Sequence, residues 1–97
     1  MDDFAYLILE VVNEIPKGKV SSYGDIAKIA GYPKNARKVG KVLSNAEFFG
    51  DYPCHRVIHS DGTLVMGWDE QESLLLEEGV KLKPNKKVDM KLYKWKP

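Results

Sequence analysis

Ser22-Tyr23-Gly24-Asp25-Ile26-Ala27-Lys28-Ile29-Ala30-Gly31-Tyr32-Pro33, continuing as Lys34-Asn35-Ala36-Arg37-Lys38-Val39-Gly40-Lys41-Val42-Leu43-Ser44, is the stretch that decides the fold. Ser22 stands three residues before Asp25, a capping-box-like start to a helix from Tyr23 to Ala30. That helix is expected to bury Ile26, Ala27, Ile29 and Ala30, with Gly31 closing it in the C′ position. Tyr32-Pro33 breaks the pattern, and a further helix from about Asn35 to Ser44 sets Ala36, Val39, Gly40 and Leu43 on one face. Two short helices around a glycine-containing turn are the helix-turn-helix signature. The second helix displays Asn35, Arg37, Lys38 and Lys41 away from its buried side, where a recognition helix carries its donors. A helical hairpin with a merely solvated basic face fits the same pattern.

Upstream, Phe4, Leu7, Ile8, Val11, Val12 and Ile15 recur at helical spacing, so residues 3–15 read as an amphipathic helix with Asp2 or Asp3 near its cap. Downstream, 45–52 is aperiodic and reads as loop. Arg56 to Ser60, then Asp61-Gly62, then Thr63-Leu64-Val65, is a hairpin pattern. Glu70 to Glu78 reads as a helix stopped by Gly79, and the alternation through Val80, Leu82, Val88, Met90, Leu92 and Trp95 reads as short edge strands. The fold class is therefore mainly α with a small β hairpin (α+β), a winged helix-turn-helix-like single domain over residues 1–97.

The chain has 97 residues, 43% hydrophobic and 30% charged, the composition of one ordinary globular domain. No apolar run approaches the roughly 20 residues of a membrane span. Met1-Asp2-Asp3 is acidic where a secretory signal is basic. With a single cysteine, this gives a cytoplasmic expectation. Net charge is +1, which alone argues against nucleic acid, but the charges are segregated. Residues 17–56 carry eight Lys/Arg against three acids, and 81–97 carry seven lysines and one acid, with six acids and no Lys/Arg over 61–78 between them. Such blocks can build a positive face that phosphate reads, or can simply solvate the surface.

The lone cysteine lies in Pro53-Cys54-His55-Arg56-Val57. It cannot form an internal disulfide, and a thiol works as a nucleophile only when a base or a positive charge favours its thiolate. The plain alternative is a small buried hydrophobe. Cys54, His55 and His59 fall short of the four ligands of a structural zinc site, so no metal is expected.

Val20 to Ala27, Ala36-Arg37-Lys38-Val39-Gly40, Asn45, the pentapeptide 53–57 and Glu78-Gly79 follow one another in an order that resembles the DNA-binding, active-site domain of O6-alkylguanine-DNA alkyltransferases and of the alkyltransferase-like proteins. The resemblance covers roughly residues 4–79. It implies that Cys54 accepts the alkyl group, that His55 draws off the thiol proton through a water, and that Glu78 orients the histidine. It also implies that Asn45 orders the turn beneath the site. Tyr23 would push the target nucleotide from the stack and Arg37 would fill the vacated space. Asn35, Lys38, Lys41 and Arg56 would bind DNA, with the helix in the minor groove, whose degenerate code suits a search for damage in any sequence.

Full alkyltransferases carry an additional N-terminal domain, which this protein is expected to lack, since the sequence opens at the first helix of the second one. They also place a Tyr-Ser-Gly stretch where this chain reads Met66-Gly67-Trp68-Asp69, leaving Trp68 either to stack on an extruded base or to serve as a core aromatic. The alkyltransferase-like proteins share both departures and bind the lesion without repairing it, but they generally have Trp or Ala at the position of Cys54. The complete trio of Cys54, His55 and Glu78 favours a single-turnover methylated-DNA–protein-cysteine methyltransferase, a reaction that the resemblance implies needs no cofactor. The alternatives are a non-enzymatic sensor that passes O6-alkylguanine to nucleotide excision repair, and a winged-helix transcriptional regulator. The expected partner is double-stranded DNA containing O6-alkylguanine, with excision-repair proteins as further candidates, no membrane, and a monomeric state.

Overall fold

Helix α1 (Asp3–Glu14) forms because Ala5, Ile8, Leu9 and Val12 fall on one stripe at three- and four-residue spacing, with Asp3 in its first turn. The computed structural model describes residues 3–97, so the other candidate cap, Asp2, lies outside the described residues. The buried stripe is rotated from the expected one. Leu9 is buried and Leu7 is 40% exposed, because the face is centred on Ile8 and Val12, both fully buried. Strand β1 (Ser21–Ser22) leads directly into α2 (Tyr23–Ile29), and α3 (Ala36–Ser44) follows. The Ser22 side chain accepts a hydrogen bond from the Asp25 N–H at 3.1 Å, the cap read from the sequence. Gly31 ends this region at φ +92°, and Tyr32 packs edge-on against Phe4 at 5.0 Å, tying the turn to α1. Ile29, expected in the core, is 40% exposed, since α2 turns only Ile26 and Ala27 fully inward.

Beyond α3 come a 3-10 turn at Ala46–Phe48, a second at Cys54–Arg56, strand β2 (Val57–Ile58), α4 (Glu70–Glu77) and α5 (Met90–Tyr93). The expected hairpin is corrected: β2 pairs in parallel with β1, Ser21 opposite Val57 and Ser22 opposite Ile58. The Asp61-Gly62 turn does form, with the His59 N–H donating to the Thr63 carbonyl at 3.0 Å. No ladder extends from it, because the Val65 N–H is taken at 2.7 Å by the side-chain oxygen of Gln71. The turn is pinned to the C-terminal segment instead. Val88 donates to the Gly62 carbonyl at 2.9 Å, and a Cβ at Gly62 (φ +92°) would lie 2.3 Å from the Val88 oxygen, so only glycine fits.

The two strands divide the core. Adjacent strand residues face opposite sides, so Val57 joins Ile8, Val12, Ile15, Ile26 and Val39 beneath the three N-terminal helices. Ile58 joins Val20, Leu75, Val80 and Val88 on the other side. Each such side chain contributes about 1.5–3 kcal/mol when removed from water. The expected C-terminal edge strands reduce to isolated bridges, Leu82 with Val88 and Val20 with Lys94. Asp89 caps α5 by accepting from the Lys91 N–H at 3.0 Å, which turns the Met90–Leu92 alternation into a helical turn with Leu92 exposed. Among the described residues no helix is long and apolar enough to cross a membrane.

Candidate active site and nucleic-acid interface

Pro53 breaks the preceding loop, and the 3-10 turn Cys54–Arg56 begins at once, with the Arg56 N–H donating to the Pro53 carbonyl at 3.0 Å. This turn places Cys54 and His55 on the wall of a cavity of about 520 Å3, within the roughly 300–1,000 Å3 of small-molecule sites. Tyr23, Leu43, Val65 and Trp68 supply other parts of the wall, and Glu47 and Asp51 supply carboxylates. Trp68 belongs to this wall and to neither core cluster. Tyr23 is half-buried, its ring 5.5 Å from that of His59; burial raises its pKa, with Cys54 nearby adding to the effect.

Cys54 is half-buried, and burial pushes its thiol up to about 11. Its sulfur is therefore protonated at neutral pH, the reverse of an activated thiolate. Among the described residues no hydrogen bond joins it to His55. The histidine Nε2 instead donates to Glu78 Oε2 at 2.8 Å. A neutral imidazole held this way keeps its hydrogen on Nε2, leaving Nδ1 as an acceptor. Glu78 is gripped harder from the other side. Arg56 donates from Nε to Oε1 at 2.9 Å and from its terminal nitrogen to Oε2 at 2.8 Å, a bidentate pair. Arg56 and then His55 hold the Glu78 carboxyl down at about 2, against the opposing effect of burial.

Arg56, expected on the DNA-binding surface, is turned inward. Besides Glu78 it donates to the Ile15 carbonyl at 2.8 Å, so it ties the end of α1 to the cysteine turn and to the end of α4. Arg37, Lys38 and Lys41 stand exposed on α3 and line an open groove of about 510 Å3. Gly40 and Ser44 line both this groove and the cavity, so α3 is their shared boundary. Asn35 precedes α3 half-buried and makes no side-chain cap bond. Asn45 caps the far end, its side-chain nitrogen donating to the Lys41 carbonyl at 3.1 Å rather than bonding Cys54 or His55. The structure thus gathers Tyr23, Cys54, His55 and Trp68 at one cavity with Glu78 behind, and Arg37, Lys38 and Lys41 beside it.

Sequence reasoning passed over Gln71. It is fully buried and bonds the backbone of both the cysteine turn and the Trp68 loop. The available signal was a polar residue four places before the core leucine Leu75, on the buried face of α4.

Comparison with known proteins agrees with this geometry. The model of the 6-O-methylguanine DNA methyltransferase, DNA binding domain, matches residues 3–80. A DNA base-flipping protein of Vibrio parahaemolyticus is 44% identical over 100 residues, covering 100% of both chains. Alkyltransferase-like protein 1 of Schizosaccharomyces pombe is 40% identical, covering 100% of this chain and 98% of the relative. The crystal structure of S. pombe Atl1 in complex with damaged DNA containing O6-carboxymethylguanine superposes with a TM-score of 0.88 at 37% identity, covering 100% of this chain and 98% of that one. The match over residues 3–80, the identities and the superposition agree, and the chain belongs to the 6-O-methylguanine DNA methyltransferase DNA-binding-domain family, alongside its alkyltransferase-like members.

Proposed function

We propose that the protein recognises O6-alkylguanine in duplex DNA by rotating it out of the helix into the cavity between Tyr23, Cys54 and Trp68. The observation that carries this reading is the continuity of that cavity with the basic groove through Gly40 and Ser44 of α3. Lys38 and Lys41 supply phosphate contacts, Arg37 occupies the space the base vacates, and the cavity takes the base. Extrusion costs a few kcal/mol, which those contacts offset. The relatives named for base flipping and for alkyltransferase likeness support damage recognition as the primary role; passing the marked site to excision repair is the downstream step of this proposal.

Alkyl transfer to Cys54 is the second reading, favoured by the sulfur's place on the cavity wall next to His55 and Glu78. In that step the S–C bond forms as the C–O6 bond breaks, the electron pair leaves on the purine, and the thiol proton departs toward His55. The resting thiol opposes it. At a pKa of about 11, roughly one thiol in ten thousand is ionised at pH 7. A single experiment separates the readings: mix the protein with a duplex holding one O6-methylguanine, measure affinity against undamaged duplex, and weigh the intact protein. Lesion-selective binding without a mass change is the expected result. One added methyl, absent in Cys54→Ala, establishes transfer, and equal binding to both duplexes removes both readings.

A further inference from the structure

Gln71 is fully buried at the start of α4, where its amide makes three hydrogen bonds. Its nitrogen donates to the His55 and Val57 carbonyls, both at 3.1 Å, and its oxygen accepts from the Val65 N–H at 2.7 Å. His55 and Val65 both line the cavity, one next to Cys54 in the chain and the other leading to Trp68. The Gln71 N–H also donates to the Trp68 carbonyl at 3.2 Å, so backbone and side chain of one residue grip both ends of that loop. We propose that Gln71 is the positioning residue that fixes the separation of the Cys54 and Trp68 walls and thereby sets which O6 adduct sizes the cavity accepts. This rests on the reading of the cavity as a lesion site.

The physical ground is the geometry of an amide. It presents donors and an acceptor in one rigid plane, so the two segments are held at a fixed spacing, and no apolar side chain can reproduce that. A fixed spacing favours an adduct that fills it and penalises one that must push the loop aside. Loosening the loop costs a small adduct its contacts and relieves a large one.

The test uses Gln71→Met, which keeps the volume and loses all three bonds, with Gln71→Glu as the companion that keeps an acceptor for Val65. Affinities are measured for duplexes bearing O6-methylguanine, O6-benzylguanine or plain guanine, and backbone hydrogen exchange is followed on the free proteins. In Gln71→Met the affinity for the methyl lesion should fall about tenfold, the scale of one positioning hydrogen bond, while that for the benzyl lesion falls less and undamaged DNA is bound as before. Exchange should rise at Val65 but not in α1–α3. Gln71→Glu should restore part of the methyl affinity, and it decides the matter if the methionine variant fails to fold. A parallel fall for both adducts, or a uniform rise in exchange, would overturn the assignment while leaving the lesion site intact. Wild-type protein that binds all three duplexes equally would overturn the reading of the cavity and this proposal together.

Discussion

The exposed face of α3 and the cluster behind Cys54 hold their charged side chains under opposite physical conditions, cations open to solvent in one and a closed ion-pair network in the other. Arg37, Lys38 and Lys41 stand in water. Their pull on phosphate is screened by salt and independent of sequence. His55, Arg56 and Glu78 are largely withdrawn from solvent and locked by three hydrogen bonds among themselves, which fix geometry rather than attract a partner. The difference teaches a division of labour. In the proposed function, one region finds and holds DNA, and the other keeps a rigid wall against which a base is judged.

The sharpest way to break this contrast is to remove Glu78. Glu78→Ala leaves Arg56 half-buried without its carboxylate and His55 without an anchor, and should cost about 3 kcal/mol in urea unfolding. A loss below about 1 kcal/mol would make the cluster a surface feature like α3. The same cluster gives a pH signature. Folding lowers the Glu78 pKa from 4.5 to about 2, so its stabilisation is fully present above pH 4.5 and is lost as pH falls from there through about 2. Glu78→Gln should flatten the acid limb of the stability profile.

Arg37→Ala should come next, lowering affinity for a lesion duplex about tenfold while changing undamaged binding far less, since the side chain matters only once a base is out. Equal losses on both duplexes would return Arg37 to the class of plain phosphate contacts. Lys41→Ala should have the smallest effect, a fewfold loss on every duplex, with the slope of log affinity against log salt reduced by about 0.9. An unchanged slope would take Lys41 off the phosphate backbone.

These two regions were not equally legible in the sequence. The α1–α3 layer followed from apolar spacing and the Ser22 cap, because local periodicity and a tight turn specify it. The placement of Cys54 and His55 together with Glu78 behind was implied by the family resemblance. What escaped has a common cause: it depends on partners distant in the chain. A parallel pair of two-residue strands has no periodicity of its own, and Val65 reads as strand until Gln71 takes its N–H. Arg56 reads as a surface cation until the Ile15 carbonyl and Glu78 turn it inward. Leu7 and Leu9 exchange roles because both flank the apolar face centred on Ile8 and Val12, and tertiary burial rather than spacing chooses between them.

The central claim is that a damaged guanine leaves the stack and enters the cavity beside Cys54. The most direct measurement places 2-aminopurine next to a single O6-methylguanine and follows its fluorescence as protein is added, with plain guanine as the control. The account predicts a rise with the lesion that saturates with binding, little change with guanine, and loss of the rise in Arg37→Ala. Equal responses on both duplexes, or tight lesion binding without any rise, would contradict it.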